Sequence, residues 1–151
     1  MKAIERLLVA TDFSPCADAA AQVAAQLAEQ LGATICVMTM VDTTAARDAP
    51  GDAATRQLRV EALCGVAQQQ LRGFADRYFA ASDTVRCEVV DSGVDVNPCA
   101  DIVRTAAQSD CDLIVLGTHG RSGLDHFLIG SVAEKVVRTS PIPTLVVRGA
   151  T

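Results

Sequence analysis

Residues 113–148 read LIVLGTHGRSGLDHFLIGSVAEKVVRTSPIPTLVVR, and the reading of this stretch decides the fold. Its apolar run, Leu113 to Leu116, has the length and composition of a strand buried on both faces. Gly117 ends the run. A polar loop follows with Gly120, Gly123 and Gly130, and then Ser131-Val132-Ala133-Glu134, which has the form of a capping box opening a helix. Strand, glycine loop and helix start together make an anion site. Glycines let main-chain N–H groups approach a phosphate, and the first N–H groups of a helix lack internal partners and sit at its positive end.

The loop is not one of the commoner phosphate loops. No Gly-Lys pair occurs in the chain, which excludes a P-loop, and G-x-G-x-x-G is also missing. The spacing is Gly117-x2-Gly120-x9-Gly130-Ser131. Together with Gly117-Thr118-His119-Gly120-Arg121, Gly130-Ser131-Val132 and the Pro-rich entry from Pro141 to a closing Val-Val strand at Val147, it resembles the nucleotide-binding signature of the universal stress protein family, in its ATP-binding branch.

Working outward, the chain alternates strand and helix. Arg6 to Ala10 is a buried-type strand closed by Thr11-Asp12-Phe13-Ser14-Pro15, with Ser14 as N-cap and Pro15 at the first helical position. The helix runs to about Gln30 with Ala20, Val23, Ala24, Leu27 and Leu31 on its apolar face, and Gly32 stops it. Ala33 to Val41 is a second strand. The segment from Asp42 to about Ala54, with Pro50 and Gly51 and no usable period, reads as a mobile loop.

A second helix reaches about Ala81, with Leu63, Ala67, Leu71, Phe74 and Tyr78 at helical spacing and the aromatic pair assigned to the core. Val85 to Val90 alternates, as a strand near an edge does. Asn97-Pro98 starts a third helix whose buried face is Ile102, Val103, Ala106 and Ala107. Five strands and four helices in this order specify an α/β three-layer sandwich, a five-stranded parallel sheet with helices on both faces. The family resemblance covers nearly the whole chain and implies the strand order 3-2-1-4-5. It also identifies residues 1–151 as a single nucleotide-binding domain, a length that suffices for a sizeable core.

Half of the residues are apolar and 21% charged, the balance of a folded chain, and only 3% are aromatic, so Ala, Val, Leu and Ile must build the core. A net charge of -5 argues against a nucleic-acid-binding face. No apolar run approaches the ~20 residues that span a bilayer, which gives no membrane partner and a cytoplasmic expectation. The six cysteines form no C-x-x-C pair and read as free thiols, while the only histidines, His119 and His126, lie apart from paired cysteines and indicate no metal site.

In parallel sheets ligands bind beyond the carboxyl ends of the strands, where the order reverses. Those ends carry Ala10-Thr11-Asp12, Met40-Val41-Asp42 and Leu116-Gly117-Thr118. The resemblance implies ATP, with Mg2+ carried by its phosphates, or another adenine nucleotide, held by Ala10, Asp12, Met40, Leu116, Gly117, Gly120, Arg121, Gly130, Ser131 and Val132. In it Asp12 helps hold the adenosine, and Met40 offers main-chain contact to the adenine. From the residues alone, Asp12 also suits a strand-end turn, Ser131 suits either a helix cap or a phosphate contact, and the two histidines read as surface-loop residues.

No catalytic residue is assigned. The function expected is a nucleotide-binding stress-response module acting as a homodimer through strand 144–147. The alternative is a slow ATP hydrolase of the same fold, for which Asp12 and Asp125 are the carboxylates at hand. The ATP pyrophosphatases need a Ser-Gly-Gly loop after strand one, which this chain lacks. One departure from the family pattern stands before the third helix, where Gly-x-Pro is replaced by the longer Asp91-Ser92-Gly93-Val94-Asp95-Val96-Asn97-Pro98.

Overall fold

The apolar runs become five parallel strands in the computed structural model, which describes residues 2–82, 84–119 and 129–149. In chain order the elements are β1 (Arg6–Ala10), α1 (Pro15–Leu31), β2 (Thr34–Val41), α2 (Thr44–Asp48), α3 (Ala53–Phe79), β3 (Val85–Asp91), α4 (Pro98–Gln108), β4 (Leu113–Gly117), α5 (Ser131–Thr139) and β5 (Thr144–Val147). The sheet order is β3-β2-β1-β4-β5. The chain steps outward from β1 through β2 to β3, returns across the sheet, and continues with β4 on the other side of β1.

Side chains of the central strands alternate between two apolar layers, because both faces of the sheet are covered. Leu7, Val9, Ile35, Val37, Leu113 and Val115 pack with α1 and α3. Leu8, Ala10, Cys36, Met38, Ile114 and Leu116 pack with α4 and α5. Phe74 belongs to the first layer, as expected, and its ring lies 4.8 Å from that of Tyr78.

Local signals set most helix ends. Ser14 caps α1 by accepting from the Ala17 N–H, and Gly32 ends it in the left-handed conformation at φ 65°. Asn97 caps α4 through the Ala100 N–H.

Three expectations about faces are corrected. The buried face of α1 is Ala17, Ala20, Ala21, Ala24 and Ala28, while Leu31 is 49% exposed, because only the small side chains let the helix axis come close to the sheet. On α3 the buried positions are Val60, Ala67, Leu71, Phe74, Ala75 and Phe79, with Leu63 turned to solvent. On α4, Ala107 is exposed and Cys99, Asp101 and Thr105 are buried in its stead, Asp101 accepting from the Ser92 hydroxyl and pairing with Arg104.

The segment after β2 is not the structureless loop expected. It contains α2, held by Asp91 at the end of β3. The Asp91 carboxylate accepts from the buried Thr43 hydroxyl at 2.6 Å, from the Gly93 N–H at 2.9 Å and from Arg47, whose Nε also bonds Thr43. Burial opposes ionisation of Asp91, but those donors outweigh it and hold the carboxyl below its usual range. A five-residue helix has too few internal bonds to stand alone, so this tertiary clamp is what fixes it.

Candidate functional site

A cleft of about 290 Å3 opens at the carboxyl ends of β1, β2 and β4, where the strand order reverses between β1 and β4. Eight of the ten expected residues line it: Ala10, Asp12, Met40, Leu116, Gly117, Gly130, Ser131 and Val132. Gly120 and Arg121 lie outside the described residues, as do Gly123, Asp125 and His126.

The floor of the cleft is the β1–α1 turn. Thr11 Oγ1 accepts from the Phe13 N–H at 2.9 Å, Asp12 Oδ1 accepts from the Ser14 N–H at 3.0 Å, and the Thr39 hydroxyl donates to the Thr11 carbonyl at 2.8 Å. Asp12 thus shapes the turn, one of the two roles read for it. Phe13 is left-handed at φ 63°, a costly conformation for a bulky residue. Flanking hydrogen bonds hold it there, and its ring meets Phe74 edge-on at 5.9 Å.

One wall is apolar and is made by Ala10, Met40, Leu116, Pro98 and Ile102. The first two turns of α4 supply the last two, so the longer β3–α4 connection still delivers a proline to the rim. The facing wall is the end of β4 and the start of α5. Gly117 permits a close approach: a Cβ there would stand 2.8 Å from the carbonyl carbon, Cβ and carbonyl oxygen of Cys16 in the first turn of α1. Gly130 is confined in the same way. Its N–H donates to the Thr118 carbonyl at 2.6 Å, and a Cβ would lie 2.8 Å from that oxygen.

The capping box expected at Ser131 does not form. Gly130 is the N-cap and Ser131 the first helical residue, with no side chain among the described residues capping the helix, and Glu134 pairs with Arg138 at 3.5 Å instead of reaching back. The short Gly130–Thr118 bond sets the entry of the chain and shifts the helix start by one residue. As a result the Ser131 hydroxyl is exposed, and the N–H groups of the uncapped first turn face a cleft lined by Ser131, Val132 and Ala133.

His119 also departs from its surface-loop reading. It is half-buried and lines the cleft; Nδ1 lies 3.0 Å from the Thr118 hydroxyl, and Nε2 is buried without a hydrogen-bond partner among the described residues. Thr11, Thr118, Pro98 and Ile102 were likewise absent from the expected set. Thr11 and Thr118 could have been found from their place beside Asp12 and Gly117 at the strand ends, whereas Pro98 and Ile102 reach the site only through the packing of α4.

A five-stranded parallel sheet with a mostly apolar cleft at its switch point defines the class, a doubly wound α/β protein whose rim joins strand ends to a helix start. The sequence matches the universal stress protein family over residues 3–148, and the chain belongs to that family. It is 47% identical over 51 residues to universal stress protein MJ0531 of Methanocaldococcus jannaschii, covering 34% of this chain and 30% of that protein. The matches span under half the length of the curated relatives. The solved structure of the hypothetical protein MJ0577 superposes with a TM-score of 0.82 at 23% identity, covering 99% of each chain, which is a likeness of fold. A universal stress protein solved in complex with cAMP superposes with a TM-score of 0.64 at 26% identity, covering 99% of this chain and 100% of the other.

No group of three or more His, Cys, Asp or Glu side chains among the described residues is placed to hold a metal ion, and no described helix is long and apolar enough to cross a membrane.

Proposed function

We propose that the cleft binds an adenine nucleotide, ATP with Mg2+ carried by its phosphates, and that the chain is a single nucleotide-binding domain working as a stress-response module. The observation that carries this reading is the division of the cleft. An apolar wall of Ala10, Met40, Leu116, Pro98 and Ile102 suits the faces of a purine. It stands opposite an uncapped helix N-terminus, with the Ser131 hydroxyl beside it, that suits phosphate oxygens. Main-chain groups at Met40 would read the adenine edge, Asp12 and Thr11 would face the ribose, and the N–H groups of Ser131 and Val132 would take a phosphate. Gly120 and Arg121, by their place in the signature, complete the phosphate set. The cAMP complex of the 26%-identical family member supports an adenine ligand.

The nucleotide would act as a signal or stabiliser read by a partner surface. We place that surface on β5, which is an edge strand of the sheet among the described residues and whose sequence, Thr144 to Val147, is apolar. A second copy pairing there antiparallel would satisfy both ladders in a symmetric dimer.

Thermal denaturation with and without nucleotide tests the binding reading. Ligand at about a hundred times its dissociation constant adds roughly 2.7 kcal/mol. For a chain of this size that is a rise of roughly 5–10 °C in the midpoint. MgATP is expected to give such a rise and MgGTP a smaller one. An unchanged midpoint in millimolar adenine nucleotide would remove the assignment.

A further inference from the structure

The helix α3 runs for 27 residues and buries one side through Val60, Ala67, Leu71, Phe74, Ala75 and Phe79. Its opposite side is not the charged surface that a solvent-facing helix ordinarily carries. At 3.6 residues per turn, Leu58, Ala62, Gly65, Val66, Gln69 and Gly73 fall in one uncharged stripe about 100° wide and roughly 22 Å long. All six are exposed, Leu58 by 65% and Val66 by 56%.

Nothing within the chain calls for the two glycines. A Cβ at Gly65 or Gly73 would meet no atom within 4 Å, and glycine weakens a helix interior relative to alanine. A strip that leaves apolar side chains in water beside bare backbone suits the close approach of another helix, because the side chains at the contact set how near two helix axes can come.

We propose that this face of α3 pairs with the same face of a second copy of the chain, antiparallel about a two-fold axis near Val66.

Charge and shape both give that register. Glu61 and Arg72 are exposed on the same margin of the stripe, and neither makes an ion pair among the described residues. In an antiparallel pair related by a two-fold axis, each margin meets the same margin of the other helix. Glu61 of each copy therefore faces Arg72 of the other, and the pair is made twice. The same axis carries Leu58 of each copy into the gap between Gln69, Gly73 and Asp76 of the other, which stays open because Gly73 has no side chain, and sets Val66 against its own counterpart. The cations on the other margin are engaged at home: Arg59 donates to the Pro50 carbonyl at 2.7 Å, and Arg77 lies over the Tyr78 ring at 5.9 Å.

The stripe is short and its ion pairs are open to solvent, so the association is weak and salt-sensitive, and it forms at higher concentration than the β5 contact. α3 packs on β2 and β3, away from β5 at the far edge, so the two contacts do not compete. The pairing is independent of what the cleft binds.

Sedimentation velocity of the full chain in reducing buffer, from micromolar to submillimolar concentration, tests the proposal. The wild-type coefficient should rise with concentration, and the rise should shrink in high salt. Glu61→Arg and Arg72→Glu each set like charges against one another twice and should weaken the association about tenfold or more, whereas the double variant Glu61→Arg/Arg72→Glu should recover it. Gly73→Ala should make the dilute chain more resistant to urea yet associate more weakly, opposite changes that a role inside one chain does not give. A coefficient that does not rise with concentration, single charge variants that associate as the wild type does, or a double variant as weak as the single ones would overturn the proposal. The wild-type concentration series stands whether or not any variant folds.

Discussion

Replacing Gly130 by alanine perturbs the start of α5 by the smallest possible step. The new Cβ would stand 2.8 Å from the Thr118 carbonyl oxygen. Since ordinary C···O contacts begin near 3.3 Å, the two segments must part by about 0.5 Å. The same oxygen accepts the Gly130 N–H at 2.6 Å, so the bond that sets the helix entry lengthens but survives. Overpacking of this kind costs roughly 1–3 kcal/mol, which for a chain of this length lowers the thermal midpoint by about 2–4 °C per kcal/mol.

If phosphate rests on the N–H groups of Ser131 and Val132, the displacement also misplaces one charge-assisted hydrogen bond, worth about 1.5 kcal/mol or more, so the nucleotide should bind roughly tenfold more weakly. Calorimetry with MgATP on Gly130→Ala, beside thermal melts of the same samples, measures both effects. Wild-type affinity in a variant that melts lower would show that the phosphates do not rest on α5. Wild-type behaviour in both would show that the Gly130–Thr118 approach does not exist in solution.

The glycines inside α3 should behave in the opposite sense: a Cβ at Gly65 or Gly73 meets nothing within 4 Å, so Gly65→Ala and Gly73→Ala should each raise stability by about 0.5–1 kcal/mol in urea unfolding, with nucleotide affinity unchanged. Asp91 has its pKa depressed in the folded chain, so its contribution is present above the ordinary value of 3.8 and is lost as pH falls through the lower folded value. Asp91→Asn should therefore be less stable than wild type by about 1 kcal/mol at neutral pH, and the gap should begin to narrow below about pH 4 and close as pH falls past the folded value; a gap that persists in stronger acid would show that charge is not what holds α2. Sedimentation at micromolar concentration should find a wild-type dimer, with Val146→Lys and Val147→Lys shifted to monomer, and a wild-type monomer would remove the β5 interface.

Where the sequence was legible, the signals were local and chemically specific. The Ser14-Pro15 and Asn97-Pro98 starts and the Gly32 stop each have one cheap conformation, and each is found there. The alternation of elements announced a parallel sheet, while the strand order came from the family likeness. The apolar face of α1 was misread because hydropathy weights Val23, Leu27 and Leu31 above alanine, whereas proximity to the sheet selects alanine. α2 has no periodic pattern of its own and rests on Asp91, far along the chain. The one-residue shift at Ser131 depends on a contact between Gly130 and Thr118 that no local pattern encodes.

Within the candidate site, Asp12, Gly117, Gly130 and Ser131 were readable because strand ends and glycine spacing mark a rim. His119 was not, since its place in the cleft beside Gly130 arises only in the folded chain.

The central claim, that an adenine nucleotide occupies this cleft, is tested most directly by titrating the isotopically labelled chain with MgATP and following the backbone amides by NMR. The account predicts saturable shifts at Thr11, Asp12, Met40, Gly117, Thr118, Ser131, Val132 and Ala133, with Arg6, Thr34 and Arg86 at the opposite rim unmoved. Shifts centred on that opposite rim, or none at millimolar nucleotide, would contradict it.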